Sequence, residues 1–167
     1  MNKTYYLLLL FIVPIFARCQ PQSLDEKLNS LLNGSVEMIN SDEAASFISS
    51  GTNVVLYDTR STEEYSVSAI KNANFIDYDN FDPLTIELPK KSDTLIFYCT
   101  VGYRSEKIGE KFKALGYQHV FNLYGGILEW KNNGNPVYNS KLIETDSVHT
   151  YSKSWGQWLN DGIKVYE

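Results

Sequence analysis

Residues 95–105 read LIFYCTVGYRS, and this stretch predicts the local structure around Cys99. Its first four residues are apolar, which is typical of a short buried strand. Gly102 lies in the segment that follows, and a helical pattern begins at Ser105. The apolar residues of that pattern recur with the spacing of one helix face: Ile108, Phe112 and Leu115. The stretch therefore predicts a strand, a short loop that contains Cys99, and a helix.

Cys99 lies at the carboxyl end of the predicted strand, just before the predicted helix. Open α/β sheets bind their ligands at this edge, and helix N-termini favour anions and thiolates. Arg104 adds a permanently charged, planar donor for an oxyanion. The alternative interpretation is a buried structural cysteine, because free cysteine behaves as a small hydrophobic residue. We favour a reactive thiolate, since Gly102, Arg104 and a helix start all follow within six residues.

Residues 98–105 resemble the active-site loop of the rhodanese-like sulfurtransferases, written C-x-x-G-x-R-S. Three further stretches resemble the family in the same order along the chain: D-x-R…E-E-Y at residues 58–65, an A-x-N-I element at residues 73–76, and G-G-x-x-x-W…G-x-P-V at residues 125–137. The chain departs from the family where Gly-His-Ile is replaced by Ser68-Ala69-Ile70. We expect this departure to affect packing more than chemistry. The resemblance covers about residues 36–137.

Strands alternate with helices along this region, which predicts an α/β fold with a parallel sheet and helices on both faces. The resemblance implies the five-strand version of this fold. It also implies a sulfurtransferase that needs no cofactor and no metal, with Cys99 as the nucleophile that carries sulfur as a persulfide. The substrate-binding residues implied by the loop and by the D-x-R segment are Thr100, Val101, Gly102, Tyr103, Arg104, Ser105 and Arg60.

The expected partners are a small sulfur-containing anion, thiosulfate or a persulfide donor, and an acceptor thiol, which could belong to a protein, or cyanide. The side chains of Thr100, Val101 and Tyr103 would surround the bound sulfur, and none of them is basic. Other loops of the family carry lysine or arginine there, so a persulfide or polysulfide donor is an alternative to thiosulfate. Arg60 follows Asp58, and a structural ion pair is the favoured interpretation of this pair over direct contact with an anion.

Three other functions are alternatives to sulfur transfer. Cysteine-dependent phosphatases and arsenate reductases have a similar loop with five residues between cysteine and arginine. Here four residues separate Cys99 from Arg104, which makes a tighter loop that suits sulfur better than a tetrahedral phosphate. The other two alternatives are a rhodanese-like binding module with weak or no catalysis and a redox sensor in which Cys99 is oxidised.

The net charge and the counts of cysteine and histidine argue against several other kinds of protein. The chain has 167 residues and a net charge of −5, which argues against a general nucleic-acid-binding protein because such proteins carry a basic face. Its two cysteines, Cys19 and Cys99, exclude a disulfide scaffold and a cysteine-based zinc site. His119 and His149 are too few and too far apart in sequence to suggest a metal cluster.

The two ends of the chain extend beyond the region of resemblance. Residues 1–18 have a positive start at Lys3 and an apolar run, which predicts an export signal. The sequence Phe-Ala-Arg-Cys ending at Cys19 resembles a bacterial lipobox, so we expect a periplasmic protein or one anchored to the membrane by lipid at Cys19. Ordinary cleavage near this position is the alternative, and a lipid anchor would be the expected membrane contact.

The segments on either side of the domain are predicted to be helical in part. Residues 19–35 form a tether whose leucines have helical spacing, so a short amphipathic helix is expected to dock on the domain. Residues 138–167 are predicted to form a helical extension that packs through Trp155, Trp158 and Leu159. Simple packing is the favoured role of this extension, and a cover over the active-site edge or a surface for a partner is the alternative.

Overall fold

The computed structural model describes residues 23–51 and 53–166. The predicted export signal and Cys19 lie outside these residues, so both stay predictions. Within the described part of the chain, no helix combines the length and the apolar character needed to cross a membrane.

A five-stranded parallel sheet forms the centre of the protein, as predicted. Its strands are β1 (Glu37–Ile39), β2 (Val54–Asp58), β3 (Asn74–Phe75), β4 (Thr94–Tyr98) and β5 (Val120–Leu123). Their order across the sheet is β1-β5-β4-β2-β3, so β4 lies at the centre. Strand β4 is almost uniformly apolar because a central strand of a parallel sheet is buried on both faces.

Six helices accompany the sheet in the described residues. They are α1 (Leu24–Leu31), α2 (Ser41–Ser50), α3 (Thr62–Val67), α4 (Tyr103–Ala114), α5 (Gly126–Asn132) and α6 (Lys153–Gly156). Alternate residues of β4 belong to two different hydrophobic clusters: Ile96 lies with residues of α1, α2 and α5, and Phe97 lies with residues of α4. Because side chains alternate between the faces of a strand, helices cover both faces of the sheet.

The expected amphipathic helix of the tether is α1, and it docks on the domain. Leu28 on its inner face is fully buried in the main cluster. The chain after α1 is fixed by Glu106 of α4, whose carboxylate accepts hydrogen bonds from the amides of Asn33 at 3.0 Å and Ser35 at 3.1 Å. The tether therefore forms part of the folded body.

The C-terminal extension contains less helix than predicted. Helix α6 has four residues, and the rest includes β6 (Val137–Tyr138), β7 (Glu144–Thr145), β8 (Ser147–His149) and β9 (Ile163–Val165). Strand β7 pairs with β6, and β8 pairs with β9. The predicted element is a helix that packs through Trp155, Trp158 and Leu159, but β-branched residues such as Val148 favour strands. Gly162, at φ 133°, adopts a backbone conformation outside the helical region.

The extension is attached where the sequence departs from the family. Ser68 is fully buried and its hydroxyl donates to the carbonyl of Ser147 at 2.6 Å. Ala69 exchanges two backbone hydrogen bonds with Tyr138, both at 2.8 Å. The expectation that this departure concerns packing agrees with these contacts. The predicted packing role of Leu159 is also confirmed, since its side chain is 1% exposed in the core.

Candidate active site

The loop after β4 wraps around the sulfur of Cys99. Helix α4 begins at Tyr103, two residues earlier than predicted, and Gly102 precedes it with φ 113°. This left-handed conformation is accessible to glycine without strain. It allows the Gly102 amide to donate a hydrogen bond to Cys99 Sγ at 3.1 Å. A backbone N–H therefore points at the sulfur, which is the arrangement expected to stabilise a thiolate at a helix N-terminus.

A pocket of about 320 Å³ opens above Cys99. Four other predicted loop residues line it: Thr100, Val101, Tyr103 and Arg104. Residues from elsewhere in the chain complete the lining: Leu31, Tyr78, Asp79, Tyr151 and Trp155. Within residues 23–51 and 53–166, no three or more His, Cys, Asp or Glu side chains come together as a metal site.

Glu64 fixes Arg104 at the pocket wall. The guanidinium donates to both carboxylate oxygens of Glu64, with each N–O distance 2.7 Å, and to the hydroxyl of Thr100 at 2.9 Å. The Thr100 hydroxyl in turn donates to Glu64 at 2.6 Å. Three side chains thus form a closed hydrogen-bonded group beside Cys99, and the Arg104 side chain is 18% exposed.

The Glu64 carboxylate is held in its charged form by this group. Burial alone would raise the pKa of Glu64, but the hydrogen bonds and the positive charge of Arg104 lower it to about 2. Glu64 also accepts a hydrogen bond from the Ser61 amide at 3.1 Å, so it caps α3 as well. Sequence reasoning missed Glu64 as a site residue, although Ser61-x-x-Glu64 has the spacing of a capping box.

Arg60 does not line the pocket, so its assignment as a substrate-binding residue is not supported by the structure. The Arg60 side chain is fully buried and forms an ion pair with Asp58, with an Nη2–Oδ2 distance of 2.7 Å. It also donates to the carbonyl of Ser68 at 2.5 Å. The favoured interpretation, a structural ion pair, agrees with these contacts. The physical reason is that both charges lie below the surface, where they pair with each other, although Arg60 Nη1 has no hydrogen-bond partner among the described residues.

Ser105 is also outside the pocket lining. Its side chain is fully buried in the first turn of α4, and its hydroxyl has no hydrogen-bond partner among the described residues. Gly102 does not line the pocket, and its contribution to the site is the hydrogen bond from its backbone amide to Cys99 Sγ. The part of the loop that forms the pocket therefore ends at Arg104.

The N-terminus of α5 supports the loop from behind. The amide of Ile127 donates to the carbonyl of Cys99 at 2.9 Å, and the amide of Leu128 donates to that of Thr100 at 3.3 Å. A Cβ atom on Gly126 would lie 2.3 Å from the Cys99 carbonyl oxygen, so a side chain cannot fit here. The close approach of α5 to the loop thus explains the glycine at this position. Trp130 lies in the core.

The C-terminal extension reaches the pocket, contrary to the favoured interpretation that it only packs. Tyr151 and Trp155 both line the pocket. The Tyr151 ring lies against the Arg104 guanidinium, with 5.4 Å between the ring centroid and Cζ. The alternative of a cover at the active-site edge agrees better with this arrangement.

The family model of the rhodanese-like domain matches residues 40–133. The chain belongs to the rhodanese-like domain family. A rhodanese-like domain protein from Staphylococcus aureus has a similar structure, with 30% identity, a TM-score of 0.51, and coverage of 56% of this chain and 90% of that one. A Bacillus halodurans protein has a TM-score of 0.57 at 21% identity, over 71% of this chain and 88% of that one, and this likeness concerns the fold alone.

Among curated proteins, this chain is similar to the tRNA uridine(34) hydroxylase of Legionella pneumophila strain Lens. The two are 37% identical over 102 residues, which is 56% of this chain and 40% of that protein. The corresponding protein of strain Corby is 40% identical over 83 residues, which is 47% of this chain and 33% of that protein. The matched region thus spans two fifths or less of these relatives' length.

Proposed function

We propose that this rhodanese-like protein is a sulfurtransferase that carries sulfane sulfur as a persulfide on Cys99. The observation that carries the proposal is the hydrogen bond from the Gly102 amide to Cys99 Sγ at the base of a pocket. Such an amide stabilises negative charge on sulfur without a proton transfer. The proposed substrate-binding residues are Thr100, Val101, Gly102, Tyr103 and Arg104.

The reaction consists of two displacements. The Cys99 thiolate attacks the outer sulfur of thiosulfate or of a persulfide, and sulfite or a thiolate leaves. The new persulfide on Cys99 lies near the Gly102 amide, which stabilises its charge. An acceptor thiol, or cyanide in an assay, then attacks the outer sulfur and restores the Cys99 thiolate. The sequence of steps is a covalent ping-pong cycle that needs no cofactor.

The loop size supports sulfur over phosphate as the transferred group. Four residues separate Cys99 from Arg104, and Arg104 is held by both oxygens of Glu64. An arginine engaged in this way has fewer free donors for the three oxygens of a phosphoryl group. The observed pairing therefore favours a sulfur substrate.

The hydroxylation of tRNA uridine 34, named for the curated relatives, is a second candidate. The net charge of −5 argues against RNA as a substrate, because RNA-binding surfaces are basic. The match also leaves three fifths or more of the relatives' length without a counterpart in this chain. We therefore place sulfur transfer first.

The deciding experiment is the intact mass of the purified protein after incubation with thiosulfate, and again after cyanide. We expect the gain of one sulfur atom, mapping to Cys99 and removed by cyanide as thiocyanate. Cys99→Ser should abolish this gain, whereas Cys19→Ser should not change it. The absence of a gain with thiosulfate, glutathione persulfide and polysulfide would contradict the proposal and favour a binding module or a redox sensor.

We also propose that the protein is exported and anchored by lipid at Cys19. The support is the positive residue and apolar run of residues 1–18, followed by a cysteine. Metabolic labelling with a palmitate analogue should mark the wild-type protein and leave Cys19→Ala unlabelled. Equal labelling of both proteins, or of neither, would contradict the anchor.

A further inference from the structure

The pocket above Cys99 has a wall built from outside the region that the family model matches. The match ends at residue 133, and Tyr151 and Trp155 lie beyond it. Leu31 of α1 lies before residue 40 and completes the same wall. All three contribute apolar surface close to the reactive sulfur. The added segments therefore shape the part of the site that a substrate's non-reacting body would touch.

Tyr151 lines the pocket and has an unfavourable backbone conformation. Its φ is 66°, which is uncommon and energetically unfavourable for a residue with an aromatic side chain. The Tyr151 amide donates to Nδ1 of His149 at 3.2 Å, which stabilises this turn. Tyr151 as a whole residue is 58% exposed, although its ring lies against Arg104. An exposed aromatic ring kept in place in this way is a suitable surface for a ligand.

Trp155 is positioned by two neighbours. Its ring packs against Trp158 with 5.1 Å between centroids, and Lys27 of α1 lies 5.8 Å from its centroid. The partly buried Trp158 in turn packs against the core. Trp155 therefore lies between Lys27 of α1 and Trp158, and part of its surface lines the pocket. Because the Trp155 side chain is already fixed, less side-chain conformational entropy is lost when a ligand binds against it.

The charge of the pocket does not favour a dianion. Among residues 23–51 and 53–166, Arg104 is the one cationic residue that lines the pocket, and its charge is balanced by Glu64. Asp79 adds a carboxylate to the lining. A volume of about 320 Å³ is within the range of pockets for organic ligands, and a five-atom anion would fill only part of it. Size and charge both favour a larger substrate with less negative charge than thiosulfate.

We propose that this pocket selects organic sulfane-sulfur donors, whose apolar body lies on Tyr151 and Trp155, over thiosulfate. The inference rests on the proposed sulfur transfer and specifies its substrate class. In the reaction, the Cys99 thiolate attacks the outer sulfur of R–S–SH. A new S–S bond forms on Cys99, the S–S bond of the donor breaks, and R–S⁻ leaves with the electron pair. No external oxidant or reductant is required.

The test compares thiosulfate with benzenethiosulfonate, which offers the same sulfane sulfur on an apolar ring and carries one negative charge fewer. The Cys99 thiolate attacks this sulfur, the S–S bond of the donor breaks, and benzenesulfinate leaves with the electron pair. The measured quantity is kcat/KM for loading Cys99 with each donor. In Trp155→Ala and Tyr151→Ala we expect kcat/KM to fall about tenfold with benzenethiosulfonate and less than about twofold with thiosulfate. Trp155→Phe should keep most of the wild-type preference, because it retains an aromatic surface.

Tyr166→Ala is the matched control, because Tyr166 is an aromatic residue of the same extension that does not line the pocket. We expect it to leave both values unchanged. An equal fall with both donors, or no fall in the two pocket variants, would overturn the inference while sulfur transfer stands. If neither donor loads sulfur on wild-type Cys99, the proposed function itself fails, and the inference with it.

Discussion

Two arginine–carboxylate pairs lie near the carboxyl edge of the sheet, and they differ mainly in what surrounds them. Arg60 and Asp58 are both fully buried, with a shortest N–O distance of 2.7 Å. Arg104 and Glu64 have the same shortest distance, but the Arg104 side chain is 18% exposed and lines the pocket. Identical chemical groups at identical distances thus occupy two very different environments.

The surroundings decide what each pair can do. Arg60 is enclosed by Asp58, the Ser68 carbonyl and the ring of Tyr98, whose centroid lies 5.8 Å from the guanidinium carbon. Burial would lower the pKa of Arg60, but the charge and hydrogen bonds of Asp58 raise it above its ordinary value. Arg104 instead has Cys99 and open pocket space beside it. The first pair therefore stabilises the fold, and the second positions the loop around the sulfur.

The largest effect is expected from breaking the buried pair. Arg60→Leu leaves the Asp58 carboxylate buried without its partner, so the free energy of unfolding should fall by about 3–5 kcal/mol. Denaturant unfolding of the two proteins measures this difference. The double variant Asp58→Asn/Arg60→Leu should lose less than the single one, because no uncompensated charge remains. A loss below about 1 kcal/mol in Arg60→Leu would show that the pair contributes little.

A smaller effect is expected from Glu64→Gln, which removes the charge that holds Arg104. A pKa lowered from 4.5 to about 2 corresponds to about 3 kcal/mol at neutral pH. In Glu64→Gln the remaining Arg104 can turn towards solvent, whereas in Arg60→Leu the remaining Asp58 carboxylate stays buried. The loss of unfolding free energy should therefore be smaller than that of Arg60→Leu. Persulfide loading of Cys99 should slow as well, because Thr100 and Arg104 lose their common partner.

The contribution of the Arg104–Glu64 pair to the free energy of unfolding should decrease at low pH. The pKa of Glu64 is lower in the folded than in the unfolded protein, so its contribution is present above about pH 4.5. It is lost as pH falls towards about 2. The difference in unfolding free energy between wild type and Glu64→Gln should therefore be constant near neutral pH and shrink over this window. A difference independent of pH would contradict the charge pairing.

Arg104→Lys should separate positioning from stability. Lysine keeps the charge but cannot bind both oxygens of Glu64 and the Thr100 hydroxyl in the same plane. We expect kcat/KM for sulfur loading to fall about tenfold, with a stability loss of about 1 kcal/mol. Steady-state kinetics and thermal unfolding would measure the two effects. A stability loss as large as that of Arg60→Leu would mean that Arg104 is a structural residue.

The smallest effect is expected at a surface pair on the same helix as Arg104. Lys107 and Glu110 form an ion pair at 2.6 Å, and their side chains are 24% and 35% exposed. Lys107→Ala should change the free energy of unfolding by about 0.5 kcal/mol or less, since solvent screens this pair. Sulfur loading should stay unchanged. A larger effect would show that distance alone, rather than burial, determines the contribution of such pairs.

Much of the fold and the position of Cys99 could be predicted from the sequence. The apolar runs of the strands and the helical spacing after Ser105 are local patterns, and the sheet confirms them. Cys99, Gly102 and Arg104 are close in sequence, so they lie together at the strand-to-helix turn whatever the rest of the fold does. Such predictions succeed because they depend on residues that are close in sequence.

The partners of the two arginines were harder to predict. Asp58 is two residues from Arg60, and this proximity allowed the ion pair to be expected. Glu64 lies forty residues before Arg104, and their contact arises where the N-terminus of α3 approaches the loop. Ser61-x-x-Glu64 has the spacing of a capping box, but no local pattern shows which distant side chain Glu64 contacts.

The sequence by itself determined the alternating strands and helices, the nucleophile candidate and its loop. The tertiary structure decided that Arg60 is enclosed, that Glu64 holds Arg104, and that Tyr151 and Trp155 reach the pocket. The physical reason is that secondary structure follows from backbone preferences and periodic burial, which are local. Burial of a charge and the lining of a pocket depend on which distant segments pack together.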